Sequence, residues 1–285
     1  MLVWDLATDE IVPGQWIKGR VYEKRSDVSP DGRYFVGAFT NYSSKPDKRD
    51  GTEDGFLSMG WTAVSRPPYF TALALWFTGG AWNGGGIWTG PRALALNNSC
   101  VWKERLPVRR PVRARLLNLP PSENEPIYSM LLRKRGWTEV SPLQTKLLNP
   151  GWRAAQERLI RALEDPSLWS DDLLGGLEEA FPRFAVEQEG VWERPFGRGV
   201  FQRVDRYRGE VWRILADDGT TRREWTLPEH RSFWLETDPN GWPVFAEQGR
   251  LYRWRGFPDG SPRLVADLNP QKFEEVPPPP WAKEW

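Results

Sequence analysis

The sequence predicts a mainly β chain of propeller-like architecture with a small helical insertion. Three observations carry that expectation. Short apolar or alternating runs recur between Gly, Pro, Asn and Asp punctuation. One strand–turn–strand pattern occurs twice, far apart in the chain. A single stretch, 149–182, has helical rather than strand spacing.

Leu2 to Ala7 (LVWDLA) reads as an outer strand. Arg33 to Thr40 (RYFVGAFT) follows Pro30-Asp31-Gly32. There Pro presets φ and Gly supplies the positive φ of a tight turn. Further strands are expected within Phe70–Thr78, Gly86–Leu96, Ile127–Val140, Val200–Ala216, Ser232–Thr237, Val244–Trp254 and Arg263–Leu268. DVSPDGRYFVGAF (Asp27 to Phe39) aligns with ETDPNGWPVFAEQ (Glu236 to Gln248), matching Pro30, Gly32 and Val36 to Pro239, Gly241 and Phe245. The two start 209 residues apart (236 minus 27), or five intervals of about 42 residues. Five blades are therefore favoured, with six or seven as alternatives. The terminal strands are expected to share one blade, which removes open edges.

The helical stretch opens at Asn149, a good N-cap, with Pro150 in the first turn. Trp152, Ala155, Leu159, Ile160 and Leu163 keep helical spacing. A second start at Ser170 places Asp171 and Asp172 where the helix dipole favours carboxylates, and Pro182 stops it. The expected organisation is one domain over 1–285, interrupted by 149–182. A Pro-rich arm at 276–285 lies on the domain or serves as a ligand for an aromatic groove.

At this point VSPDGRYFVGAF, DPNGWPVFAEQGRLYRW and VWDLATDE resemble blade segments of WD40-like and related bacterial β-propellers. The Gly-His dipeptide of WD40 repeats is absent. The resemblance implies a radial β architecture and a binding-platform role, and carries over no functional residue.

Composition excludes several chemistries. One His and one Cys, His230 and Cys100, leave no intramolecular disulfide and no thiolate zinc cluster. No nucleophile elbow, phosphate loop or cofactor motif is visible, so no enzyme activity and no cofactor are expected. Net charge is +1, which gives no global field toward nucleic acid or an anionic membrane. The N-terminal segment lacks a basic n-region, and the longest apolar run, Phe70 to Phe77, is too short to span a bilayer. A cytoplasmic protein is the expectation. Eighteen Trp spread from Trp4 to Trp285 point mainly to packing between β-layers.

Four local features stand out as binding candidates. The loop TGGAWNGGGIWTG offers Trp82, Asn83 and Trp88 for stacking on a sugar or a partner side chain, or packs its Trp residues between blades. A basic stretch, Lys103 to Arg115, includes Arg109 and Arg110 and forms a cationic face or the solvated side of alternating strands. An acidic stretch, Glu164 to Glu189, includes Asp171, Asp172, Glu178 and Glu179 and offers a docking surface for a basic partner, or a capped and solvated helix pair. The Pro-rich arm is the fourth. The expected function is non-catalytic binding of another protein, with a bacterial immunity or inhibitor protein as one concrete version. A carbohydrate-binding or carbohydrate-processing propeller and a subunit of a larger assembly are the alternatives.

Overall fold

The computed structural model describes residues 1–42, 56–81, 84–97, 103–117, 127–147, 161, 184–206, 209–228 and 233–285. Within them the chain is mainly β. The expected single domain meets a chain that divides into two compact units. One comprises Met1–Gly136, Leu235–Arg255 and Pro262–Trp285; the other comprises Trp137–Trp234 and Gly256–Ser261.

The first unit begins with a hairpin of β1 (Leu2–Trp4) and β2 (Ile11–Pro13). Asp5 Oδ1 accepts the backbone N–H of Ala7 and of Thr8 and so closes the turn between them. An antiparallel meander follows: β3 (Arg20–Val28), β4 (Phe35–Thr40), β5 (Gly60–Ser65) and β6 (Ala74–Phe77). The Pro-x-Gly turn between β3 and β4 forms as its chemistry dictates. Gly32 has φ 72° and donates its N–H to Ser29 O, while Asp31 accepts from Ser29 Oγ and Arg33 N. The hairpin β7 (Gly86–Gly90) and β8 (Ala93–Asn97) comes next, then β9 (Lys103–Leu106), which joins the meander beside β6. β10 (Arg113–Leu117) returns to pair with β8 in parallel, so its sheet runs β10-β8-β7. Tyr34, Val64, Trp76, Trp88, Leu94 and Leu96 form the apolar core of this region.

The strand expected over Ile127–Val140 is corrected. Ile127–Lys134 is an α-helix, α1, and only Thr138–Ser141 is strand, β11. Ile127 and Leu131 lie one turn apart and are buried with Leu132. Arg133 and Lys134 sit in the last turn, where the helix dipole favours cations, and Gly136 with φ 82° follows. Lys134 Nζ reaches the buried Asp27 Oδ2 at 2.5 Å, and the same oxygen accepts Trp88 N at 2.8 Å.

In the second unit, β11 lies beside β14 (Gly190–Phe196), and β12 (Gln144–Leu147) with β13 (Phe184–Gln188) makes a separate ribbon. β15 (Gly199–Arg206), β16 (Gly209–Ala216) and β17 (Thr221–Pro228) complete a five-stranded antiparallel sheet, β11-β14-β15-β16-β17. Strict alternation gives its two faces different chemistry. On one face Trp192, Arg203, Trp212 and Trp225 stand opposite one another across four strands, with the Arg203 guanidinium 5.6 Å from the Trp212 ring. On the other, Gln202 donates to Glu193 at 2.8 Å, and Arg213 donates to Gln202 at 2.8 Å and to Glu224 at 2.7 Å.

β18 (Trp234–Thr237), β19 (Pro243–Glu247), β20 (Arg250–Arg253) and β21 (Arg263–Asp267) form another consecutive meander, which belongs to the first unit from Leu235 onward. Its first turn repeats that of β3–β4: Gly241 has φ 78° and donates to Asp238 O, and Val36 and Phe245 are both fully buried. The shared terminal blade is corrected. Among the described residues β1 pairs with β2 and β21 with β20. Side chains tie the ends instead. Arg253, 1% exposed, donates to Leu6 O and pairs with Asp9 and Asp238, while Arg263 also reaches Asp9. The Pro-rich arm lies on its own unit. Gln15 holds Val276 O, Arg66 holds Trp281 O, and Trp281 and Trp285 meet Tyr69 and Tyr34.

Candidate functional site

The glycine-rich loop is pinned on both sides of Trp82 and Asn83, which themselves lie outside the described residues. Arg25 donates to Ala81 O at 2.6 Å and Tyr42 OH accepts Ala81 N at 2.9 Å. Thr62 Oγ1 accepts Gly85 N at 2.7 Å, and Asn97 donates to Gly84 O at 3.2 Å. Gly85 is required twice over: its φ is 84°, and a Cβ would stand 2.2 Å from Arg25 O. Trp88 is corrected as a ligand-stacking residue. It belongs to β7, is 1% exposed and stacks on Tyr34 at 5.6 Å, so neither ring face is open to a sugar.

Asp171, Asp172, Glu178 and Glu179 lie outside the described residues, as do Cys100 and His230. So does the expected insertion over 149–182 except for Arg161, which is helical and exposed. Arg109 and Arg110 are described and exposed. They lie in the turn before β10, where Val112 N donates to Arg109 O.

That turn closes one end of a groove of about 740 Å³. The groove is the open side of two packed sheets. β9 ends the sheet β3-β4-β5-β6-β9, and β10 ends the sheet β10-β8-β7. Trp76 of β6 lines it from one sheet. Leu96, Ala114 and Leu116 line it from the other, and Val108 and Val112 close the end. Leu116 remains 52% exposed, so the apolar seam reaches the surface at the edge of β10. Glu104 is the carboxylate inside, and its Oε2 accepts the Trp76 indole N–H at 3.2 Å.

The rim is cationic. Arg113 and Arg115 line the groove, Arg109 and Arg110 lie in the turn between its lining residues Val108 and Val112, and all four are exposed with no ion pair or hydrogen-bonding side chain opposite them among the described residues. Several guanidinium groups elsewhere are matched: Arg206 with Glu189, Arg213 with Glu224, and Arg250 with Asp267. Sequence reading reached the four arginines but missed the seam. The signal lay in VRARLL, whose alternation puts Arg113 and Arg115 on one face and Ala114 and Leu116 on the other.

The carboxylates with displaced pKa values are turn caps, not site residues. Backbone N–H groups of Ala7, Thr220 and Asn269 hold Asp5, Asp218 and Asp267 below the usual carboxylate range, and the Ser29 hydroxyl does so for Asp31. Among the described residues no cluster of three His, Cys, Asp or Glu side chains forms a metal-binding set, and no helix is long and apolar enough to cross a membrane. No known family, curated protein or solved structure matches the chain.

Proposed function

We propose that this chain is a non-catalytic protein-binding module whose docking surface is the groove between β9 and β10. The observation that supports it is the coincidence of an exposed apolar seam with four arginines that meet no carboxylate among the described residues. An apolar centre ringed by charge is the anatomy of a recognition surface. The groove side chains, Trp76, Val112 and Leu116 among them, offer contact area and no nucleophile. The meanders β3–β6, β14–β17 and β18–β21 favour a propeller-like platform; the parallel pair β8–β10 departs from a simple blade and is where the groove opens.

Capture of proteins from source-cell extract by the native chain and by the Arg113→Glu, Arg115→Glu double variant tests the reading. A stoichiometric partner retained by the first and lost by the second supports it. A partner retained equally by both places the interface elsewhere.

A further inference from the structure

Resting on that reading, we propose that the partner enters as an extended strand on the outer edge of β10, with carboxylate and apolar side chains in alternation. The backbone sets the phase. β10 runs parallel to β8, and Arg113 donates its N–H to Arg92 O at 2.8 Å. In a parallel pair alternate residues turn both backbone groups toward the neighbour. Arg113, Arg115 and Leu117 therefore face β8, and Ala114 and Leu116 direct their N–H and C=O groups to the outer edge. No strand pairs with that edge among the described residues. An unpaired edge is a template for strand addition.

Side-chain alternation then specifies the guest. Ala114 and Leu116 share the sheet face of their partners Leu94 and Leu96, which form part of the core beside Trp76 and Val112. Arg113 and Arg115 occupy the opposite face. Residues on adjacent strands that stand opposite one another share a face. A guest strand thus places every second side chain beside Leu116 in the apolar seam and the intervening ones beside Arg113 and Arg115, where carboxylates are complementary. Arg109 and Arg110 extend the positive field at one end. Glu104 opposes a carboxylate on the seam face, which reinforces the choice of apolar side chains there.

The probe is a soluble synthetic peptide alternating Glu and Val over the length of β10, titrated into the whole chain. Two backbone-ester analogues carry esters in place of either the Val or the Glu amides. Binding is expected to fall about 5- to 10-fold for one ester series and to stay within about 2-fold for the other, because only one edge of the guest faces β10. Ala114→Pro removes an outward N–H without touching the bonds of Arg113 and Arg115 to β8, and edge strands tolerate Pro. It is expected to abolish binding with little change in melting temperature.

Equal sensitivity of the two ester series, with binding still lost in the arginine double variant, overturns strand addition and leaves the groove as the docking surface. Binding that survives the arginine double variant overturns both readings. Equal binding of an oligoglutamate of the same charge overturns the alternating pattern. Dimerisation of the native chain that Ala114→Pro abolishes, without peptide binding, overturns the proposal in favour of a second copy on this edge.

Discussion

Arg253 Nη2 lies 3.0 Å from Asp9 Oδ1, joining the last meander to the loop between β1 and β2. The guanidinium is almost wholly buried, and Nε faces Asp238 Oδ2 at 3.4 Å. Asp238 also accepts the N–H groups of Asn240 and Trp242 through its other oxygen. One arginine therefore connects the N-terminal hairpin to the turn between β18 and β19.

Arg253→Ala leaves Asp238 buried without its cation. Breaking a buried pair from one side costs about 3–5 kcal/mol. Denaturant titration of the native and substituted chains measures this, and a loss below about 1 kcal/mol contradicts the bridging role.

Gly85→Ala forces a Cβ into the Arg25 carbonyl at a φ that L-residues avoid. The expected loss is at least about 1–3 kcal/mol, read by thermal unfolding. Gly32→Ala, where a Cβ meets nothing within 4 Å, isolates the positive-φ contribution and is expected to cost less. Equal losses at the two sites contradict the steric account.

Trp88→Ala empties the space between Tyr34 and the β8 side chains Leu94 and Leu96. A buried aromatic truncated in this way costs about 3–5 kcal/mol. Calorimetric unfolding tests it. A change within about 0.5 kcal/mol contradicts the placement of Trp88 in the core.

Acid acts through the turn caps. The folded pKa values of Asp5, Asp31, Asp218 and Asp267 are lowered relative to the unfolded chain. Their stabilisation is therefore complete above the unfolded carboxylate value of about 3.9 and is lost as pH falls through the folded values. Replacing all four by Asn keeps a capping oxygen but removes the proton linkage. The variant is expected to show a flatter stability profile below about pH 4 in denaturant titrations. A profile as steep as the native one contradicts the assignment.

What was legible in the sequence was local. The turns at Pro30-Asp31-Gly32 and Pro239-Asn240-Gly241 were readable because Pro and Gly fix their φ angles without help from the rest of the chain. The apolar run of Ile127–Lys134 suits a strand as well as a helix, and only burial of Ile127 and Leu131 on one face separates the two. Trp88 falls both in the glycine-rich loop and in the strand expected within Gly86–Leu96, and its pairing with Leu94 makes it strand and core. The groove was not legible. It depends on β10 crossing back to pair with β8 in parallel, and a non-local pairing leaves no periodicity in the sequence.

Residue-resolved amide exchange across β10, with and without the Glu/Val peptide, tests the docking claim most directly. In the free chain Arg113 and Arg115, bonded to β8, are expected to exchange slowly, and Ala114 and Leu116 quickly. On adding peptide, Ala114 and Leu116 become protected while Arg113 and Arg115 change little. Unchanged exchange at Ala114 and Leu116 under saturating peptide would contradict docking on this edge.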